Sequence, residues 1–162
     1  LFSKGTTMTN TTTATPAARS GLRAWPASTS LALLVLRLAV GAVFIAHGAQ
    51  KVFVYGLAGT GGSFADMGVP LAEIAGPVVG LVELIGGVFL VIGLATRLVG
   101  AALAVNMLVA TLLVHLSAGI FAAEGGYELT LVLGASAIAL VLAGAGRLSV
   151  DAVLTRRRSA QV

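Results

Sequence analysis

The stretch "LALLVLRLAVGAVFIAHGAQKVFV", residues 31–54, decides how the rest of the chain is read. It runs for 24 residues with Arg37 as its one charge before Lys51 near the end. A helix crossing the hydrocarbon core of a bilayer needs about 20 mostly apolar residues, so this run reads as a spanning helix. It also exceeds the roughly 7–15 apolar residues of a cleaved signal peptide, which makes it a permanent first span. Its end, "FIAHGAQKVF" (44–53), gathers His47, Gln50 and Lys51 within two helical turns and raises the question of what they do there.

Outward from this run the composition agrees. Of 162 residues, 57% are hydrophobic and 10% charged, and the mean hydropathy is +1.02, values that belong to an integral membrane protein. Four spans fit, at about 31–54, 71–95, 97–118 and 127–145, giving an all-α membrane four-helix bundle over residues 31–146. Residues 1–30, rich in Thr and Ala with Pro16 and Pro26, read as a disordered tail in which Met8 is a candidate start. Residues 147–162 read as a basic C-terminal tail. The Gly-rich connection "YGLAGTGGSFADMGVP" (55–70) carries Phe64 and Met67, ends at a Pro70 suited to a helix start, and is expected to hold a short interfacial segment.

Lys4, Arg19, Arg23, Arg97, Arg147 and Arg156 to Arg158 fall on one side of these spans, with Lys51 alone near the other. The positive-inside bias then predicts cytoplasmic termini in a multi-pass protein of the bacterial inner membrane. Because topology explains the net charge of +4, the expected partner is the lipid bilayer and not nucleic acid. The absence of cysteine excludes a CxxC redox centre, a thiolate metal site and any disulfide.

Charged groups inside a bilayer are costly and should face protein, water or the interface. In the second span Gly76, Gly80, Glu83 and Gly87 recur on one helical face, a small-residue stripe that admits another helix and turns Glu83 into the bundle. On the first, Arg37, Gly41, Phe44, Gly48 and Lys51 share a face. An Arg37–Glu83 pair is the preferred structural expectation, with Glu83 as a proton relay or ligand contact the functional one. The same stripes would serve either internal packing or a homo-oligomer.

His47 and His115 fall at similar depths, and Gln50, Lys51, Glu124, Tyr127 and Glu128 belong to the same layer. Three readings of that layer stay open. It anchors the helices at the interface; or His47, Lys51, His115, Tyr127 and Glu128 hold a quinone or similar redox ligand, whose carbonyls need donors; or a bis-histidine haem b sits between the first and third helices, the weakest of the three. No metal site is expected, since two histidines cannot complete a zinc set and the chain lacks a Glu-x-x-His pair. "GLAGTGG" follows a membrane helix and not a strand, which argues against a nucleotide loop. Asn106 is expected to bond across helices.

Taken together, "LRLAVGAVFIAHGAQKVF", "GLAGTGGSFADMGVP", "VGLVELIGGVFLVIGLATRL", "MLVATLLVHLSAGIF", "GGYELTLVL" and "GAGRLSVD" resemble the DoxX family of small bacterial membrane proteins, over about residues 31–152. The resemblance implies a four-helix membrane protein. Related DoxD-type subunits belong to a thiosulfate:quinone oxidoreductase, and the family implies partnership with a superoxide dismutase and a sulfurtransferase in a complex handling oxidative and thiol stress. It brings no catalytic assignment for the positions in its blocks, among them Arg37, His47, Lys51, Glu83, His115, Tyr127 and Glu128. The leading expectation is an inner-membrane subunit supporting quinone-linked electron transfer. The alternatives are a non-enzymatic anchor for soluble redox enzymes and, with least support, a small proton-coupled transporter in which Glu83 carries the proton.

Overall fold

A computed structural model describes residues 26–159, and their side chains from residue 29. Helix α1, Pro26–Ala49, continues through a π-helical turn at Gln50–Val54. Helix α2, Gly56–Asp66, leads to α3, Ala72–Ile92. Helix α4, Thr96–Ala110, also runs into a π-helical turn, Thr111–His115, and then a 3-10 turn, Leu116–Ala118. Helix α5 is Glu128–Ala143 and α6 is Val150–Ser159. Three of these stretches, Thr29–Val54, Ala72–Ile92 and Thr96–Ala118, are long and apolar enough to cross a membrane, and α5 is a shorter apolar helix. No strand occurs among the described residues. The chain is an all-α membrane bundle.

Two boundaries differ from expectation. The first helix is already present at Pro26, before the expected Leu31; residues 1–25 lie outside the described residues. The C-terminal segment is folded as α6, for a reason given below. The connection 55–70 does form a helix, α2, packed on α3.

Around the bundle, α1 packs on α3, α3 on α4, α4 on α5, and α5 returns to α1. The α1–α3 contact is built on glycine. A Cβ on Gly41 would lie 2.8 Å from the Gly87 carbonyl oxygen, one on Gly87 would lie 2.7 Å from that of Gly41, and one on Gly48 would run into the Leu84 backbone. Lipid tails are as apolar as leucine, so close backbone approach and interhelical hydrogen bonds hold such helices together in place of the hydrophobic effect. Gly76, Gly80, Glu83 and Gly87 are all buried, as their spacing predicts. A core of Val40, Phe44, Leu90, Leu103, Met107, Leu133, Ala137 and Leu140 fills the centre. Large apolar side chains such as Leu98 (75% exposed) and Leu142 (74%) point outward, where a bilayer is their solvent.

Arg37 does not pair with Glu83. It is fully buried and donates from Nη1 to the carbonyls of Leu90 (3.1 Å) and Val91 (3.2 Å), and from Nη2 to that of Leu148 (2.5 Å). The first two belong to the last turn of α3, where the Leu90 carbonyl also accepts from the Gly93 N–H (3.1 Å). Gly93 ends α3 at φ 70°, and its missing side chain leaves the room that the guanidinium occupies. Register explains the miss: α1 and α3 are antiparallel, and setting Gly41 beside Gly87 sets Arg37 beside Val91. Glu83 is eight residues further along α3, about 12 Å at 1.5 Å per residue.

The Leu148 bond draws in the segment after α5, and Asp151 completes the attachment. Its carboxylate accepts from the backbone N–H groups of Ala95 (2.7 Å) and Thr96 (2.9 Å) at the start of α4, and its own N–H donates to the Gly93 carbonyl (2.9 Å). An acidic group at a helix N-terminus satisfies orphan donors and complements the dipole there. The beginning of α1 and the whole of α6 thus share one end of the bundle, with the side chains of Arg156, Arg157 and Arg158 exposed.

Candidate functional site

At the opposite end the spanning helices stop being regular. The π turns at Gln50–Val54 and Thr111–His115 interrupt the α pattern of α1 and α4, and such interruptions gather at functional sites. Backbone and threonine groups meet here: Thr60 of α2 donates to the Lys51 carbonyl (2.8 Å), and Thr111 donates to the Met107 carbonyl (2.8 Å). Thr111 and Thr130 place their hydroxyls 2.6 Å apart across α4 and α5. Lys51 lies in the first π turn, with its stem against Gly80 of α3. Long side chains on a helix lean toward its N-terminus, which carries the Lys51 ammonium back along α1 to Glu83.

Lys51 Nζ lies 2.6 Å from Glu83 Oε2, with the two side chains 19% and 5% exposed. It is the one ion pair among the described residues. Asn106 Nδ2 of α4 donates to the other oxygen, Oε1, at 3.2 Å. Three elements are joined, and both carboxylate oxygens are engaged. The bond across helices expected of Asn106 is made.

This network borders a cavity of about 320 Å³, within the size range of small-molecule sites. His47 and Phe44 reach it from α1, Phe64 and Met67 from α2 and its exit, Met107 and His115 from α4, and Leu129 and Leu133 from α5. Its walls are chiefly apolar, and Lys51, Glu83, His47 and His115 are its ionisable residues. His115 holds Nδ1 2.7 Å from the Gly125 carbonyl oxygen. His47 is half-buried and also borders a groove on the outer side of α1 with Gln50, Phe53 and Val54.

Of the five residues expected to hold a ligand, His47, Lys51 and His115 line this one cavity and Tyr127 and Glu128 do not. The last two are taken up in the turn that leads into α5. Glu128 Oε1 accepts from the Ala122 N–H at 2.7 Å, and the Glu128 and Tyr127 backbone N–H groups donate to Ile120 and Gly119. Glu83 enters the cavity wall as Lys51's partner instead of Arg37's. Phe44, Met107 and Thr130, also in the wall, were not singled out as ligand residues; Phe44 at three residues before His47 was the one legible signal, since i and i+3 share a helix face.

Known proteins resemble this chain over most of its length. The DoxX family model matches residues 32–116, from α1 through the second π turn. An uncharacterized membrane protein of Mycobacterium tuberculosis is 33% identical over 140 residues, covering 79% of this chain and 84% of its own. CatD of Bacillus subtilis, named as a candidate oxidoreductase, is 35% identical over 124 residues, covering 76% and 87%. An uncharacterized protein of Haemophilus influenzae is 32% identical over 122 residues, covering 74% and 87%. No solved structure matches at a significant level. With its spanning helices and this match, the chain is a multi-pass bacterial membrane protein and belongs to the DoxX family.

Proposed function

We propose that the chain binds a small quinone-type ligand in this cavity and serves as the proton-handling membrane subunit of a redox assembly. The observation that carries the reading is the Lys51–Glu83–Asn106 network opening onto a chiefly apolar cavity. A buried ion pair seldom stabilises a fold more than apolar side chains of the same volume would, and ionisable groups among spanning helices mark ligand and proton sites. A bound quinone would supply the two-electron redox centre that a cysteine-free chain does not carry. Lys51 donates to a ligand oxygen with its spare N–H groups, Glu83 balances that charge, and Asn106 fixes the carboxylate. The imidazoles of His47 and His115 are placed to take up and release protons. The name of the CatD relative agrees with redox chemistry. The charge bias of Arg97, Arg147 and Arg156 to Arg158 supports a cytoplasmic location for the opposite end of the bundle.

Equilibrium binding of decylubiquinone to the full chain in nanodiscs tests the reading. Lys51→Gln and Glu83→Gln should each weaken binding about tenfold, a loss of roughly 1.4 kcal/mol. Unchanged affinity in both variants, or no binding by the wild type, sinks the proposal. A second reading, an anchor for soluble redox enzymes such as superoxide dismutase or a sulfurtransferase, draws on the three exposed arginines of α6, which have no ion pair among the described residues. It requires capture of such an enzyme that is lost in an Arg156→Gln, Arg157→Gln, Arg158→Gln variant.

A further inference from the structure

We infer that the cavity selects the hydroxyl form of its ligand, a quinol or related phenol, over the carbonyl form, and that His115 makes the choice; this rests on the cavity being the ligand site proposed above. His115 Nδ1 lies 2.7 Å from the Gly125 carbonyl oxygen. A carbonyl oxygen only accepts, so Nδ1 carries the hydrogen. In a neutral imidazole the other nitrogen, Nε2, is then an acceptor.

The Gly125 carbonyl is held in place. Gly125 N donates to Ala122 O at 3.0 Å, Gly126 N to Phe121 O at 2.9 Å and Tyr127 N to Gly119 O at 3.0 Å. Glu128 clamps the same turn through the Ala122 N–H, and a Cβ on Gly126 would lie 2.6 Å from the Ile120 carbonyl carbon, so the turn has no slack. The tautomer of His115 is therefore set by a rigid backbone group. Nε2 has no partner among the described residues, and it is not sealed in, since the buried side-chain atoms without a partner are Arg37 Nε and Thr96 Oγ1.

The other polar groups of the wall are committed differently. Glu83 has one oxygen on Lys51 and the other on Asn106. Thr130 donates to the Tyr127 carbonyl at 3.0 Å. Lys51 is a donor only. His47 has no partner that fixes its tautomer and adapts to either ligand form. Carboxylate and hydroxyl oxygens in the wall keep spare lone pairs, but Nε2 of His115 is the imidazole acceptor whose role a backbone group fixes. A ligand carbonyl set against it brings lone pair to lone pair, and a buried polar group without its partner is penalised. A ligand hydroxyl donates to Nε2 and can accept from Lys51 at its other end.

The test is equilibrium binding to the full chain in nanodiscs under argon. The probes are decylubiquinone, decylubiquinol and the monomethyl ether of the quinol. Decylubiquinol should bind about tenfold more tightly than the quinone, with the monomethyl ether between them. His115→Phe should bring the quinol-to-quinone ratio to near one, and His115→Asn, which keeps an amide donor and an oxygen acceptor, should keep part of the preference. Equal wild-type affinity for quinol and quinone overturns this inference and leaves the cavity reading standing, as does a quinol preference that survives in His115→Phe. Binding of none of the three probes overturns both.

Discussion

Removing Lys51 alone should harm the bundle more than removing Lys51 and Glu83 together. In Lys51→Met the Glu83 carboxylate, 5% exposed, keeps a single bond, from Asn106 at 3.2 Å. Taking away one partner of a buried pair costs about 3–5 kcal/mol, because the remaining charge has left water without compensation. Lys51 is itself 19% exposed, so solvent already screens part of the pair and the lower end, about 3 kcal/mol, applies. For a chain of this length that is a fall in Tm of about 6–12 °C. The Lys51→Met, Glu83→Leu double variant replaces both charges by apolar groups of similar volume and should lie within about 1 kcal/mol of the wild type.

Thermal unfolding followed by circular dichroism, with all four proteins in one detergent at one pH, measures the cycle. Strong coupling is the expected outcome, with the double variant more stable than Lys51→Met. If the double variant is as unstable as the sum of the two single changes, the groups act independently. The network would then lose its place as the feature separating this cavity from ordinary packing.

Other perturbations probe the rest of the frame. Arg37→Met removes the guanidinium from three carbonyls, of which Leu90 keeps the Gly93 N–H, and should lower stability by about 2–4 kcal/mol, with faster tryptic cleavage at Arg156 to Arg158 as α6 loosens. Gly48→Ala drives a methyl group into the Leu84 backbone and should cost about 1–3 kcal/mol, seen as a lower Tm. Gly62→Ala, in an open helical position, should be neutral or slightly stabilising in the same scan. Glu128→Ala removes the bond to Ala122 N and should cost about 1 kcal/mol while quinone affinity stays within threefold; a larger loss would return Glu128 to the site.

What the sequence disclosed about this fold follows from which properties are local. Span length and the glycine stripe of α3 depend on neighbours along one helix, so apolar runs and i, i+4 spacing revealed both. The inward aim of Glu83 came from the same stripe. Its partner did not, because pairing between helices depends on their register, and the Gly41–Gly87 contact that fixes register is a property of two surfaces. Depth along each helix was enough to bring His47 and His115 to one level, and they do line one cavity. Depth says nothing about direction, which is why Tyr127 and Glu128, at the proper level, lie outside the cavity wall, with Glu128 bonded to the Ala122 N–H of the preceding turn. The π turns had no visible signal, since an i to i+5 bond is one residue inserted into an otherwise ordinary helical pattern. Asp151 read as part of a basic tail because its partners, the N–H groups of Ala95 and Thr96, are supplied by a distant turn.

Burial of charge alone does not separate framework from site in this bundle. Arg37 is at least as buried as Glu83, and both sit among apolar spanning helices. They differ in where their hydrogen bonds go and what lies beside them. Arg37 spends its bonds on backbone carbonyls at the end of α3 and in the α5–α6 link, and it does not line the cavity. Those bonds are all made within the folded chain. Lys51 meets another side chain, keeps N–H groups in reserve, and faces open volume alongside two imidazoles. Reserve hydrogen-bonding capacity next to a cavity has no structural use and is what a ligand requires, so the Lys51 end is where a change of chemistry should alter function and the Arg37 end is where it should alter stability.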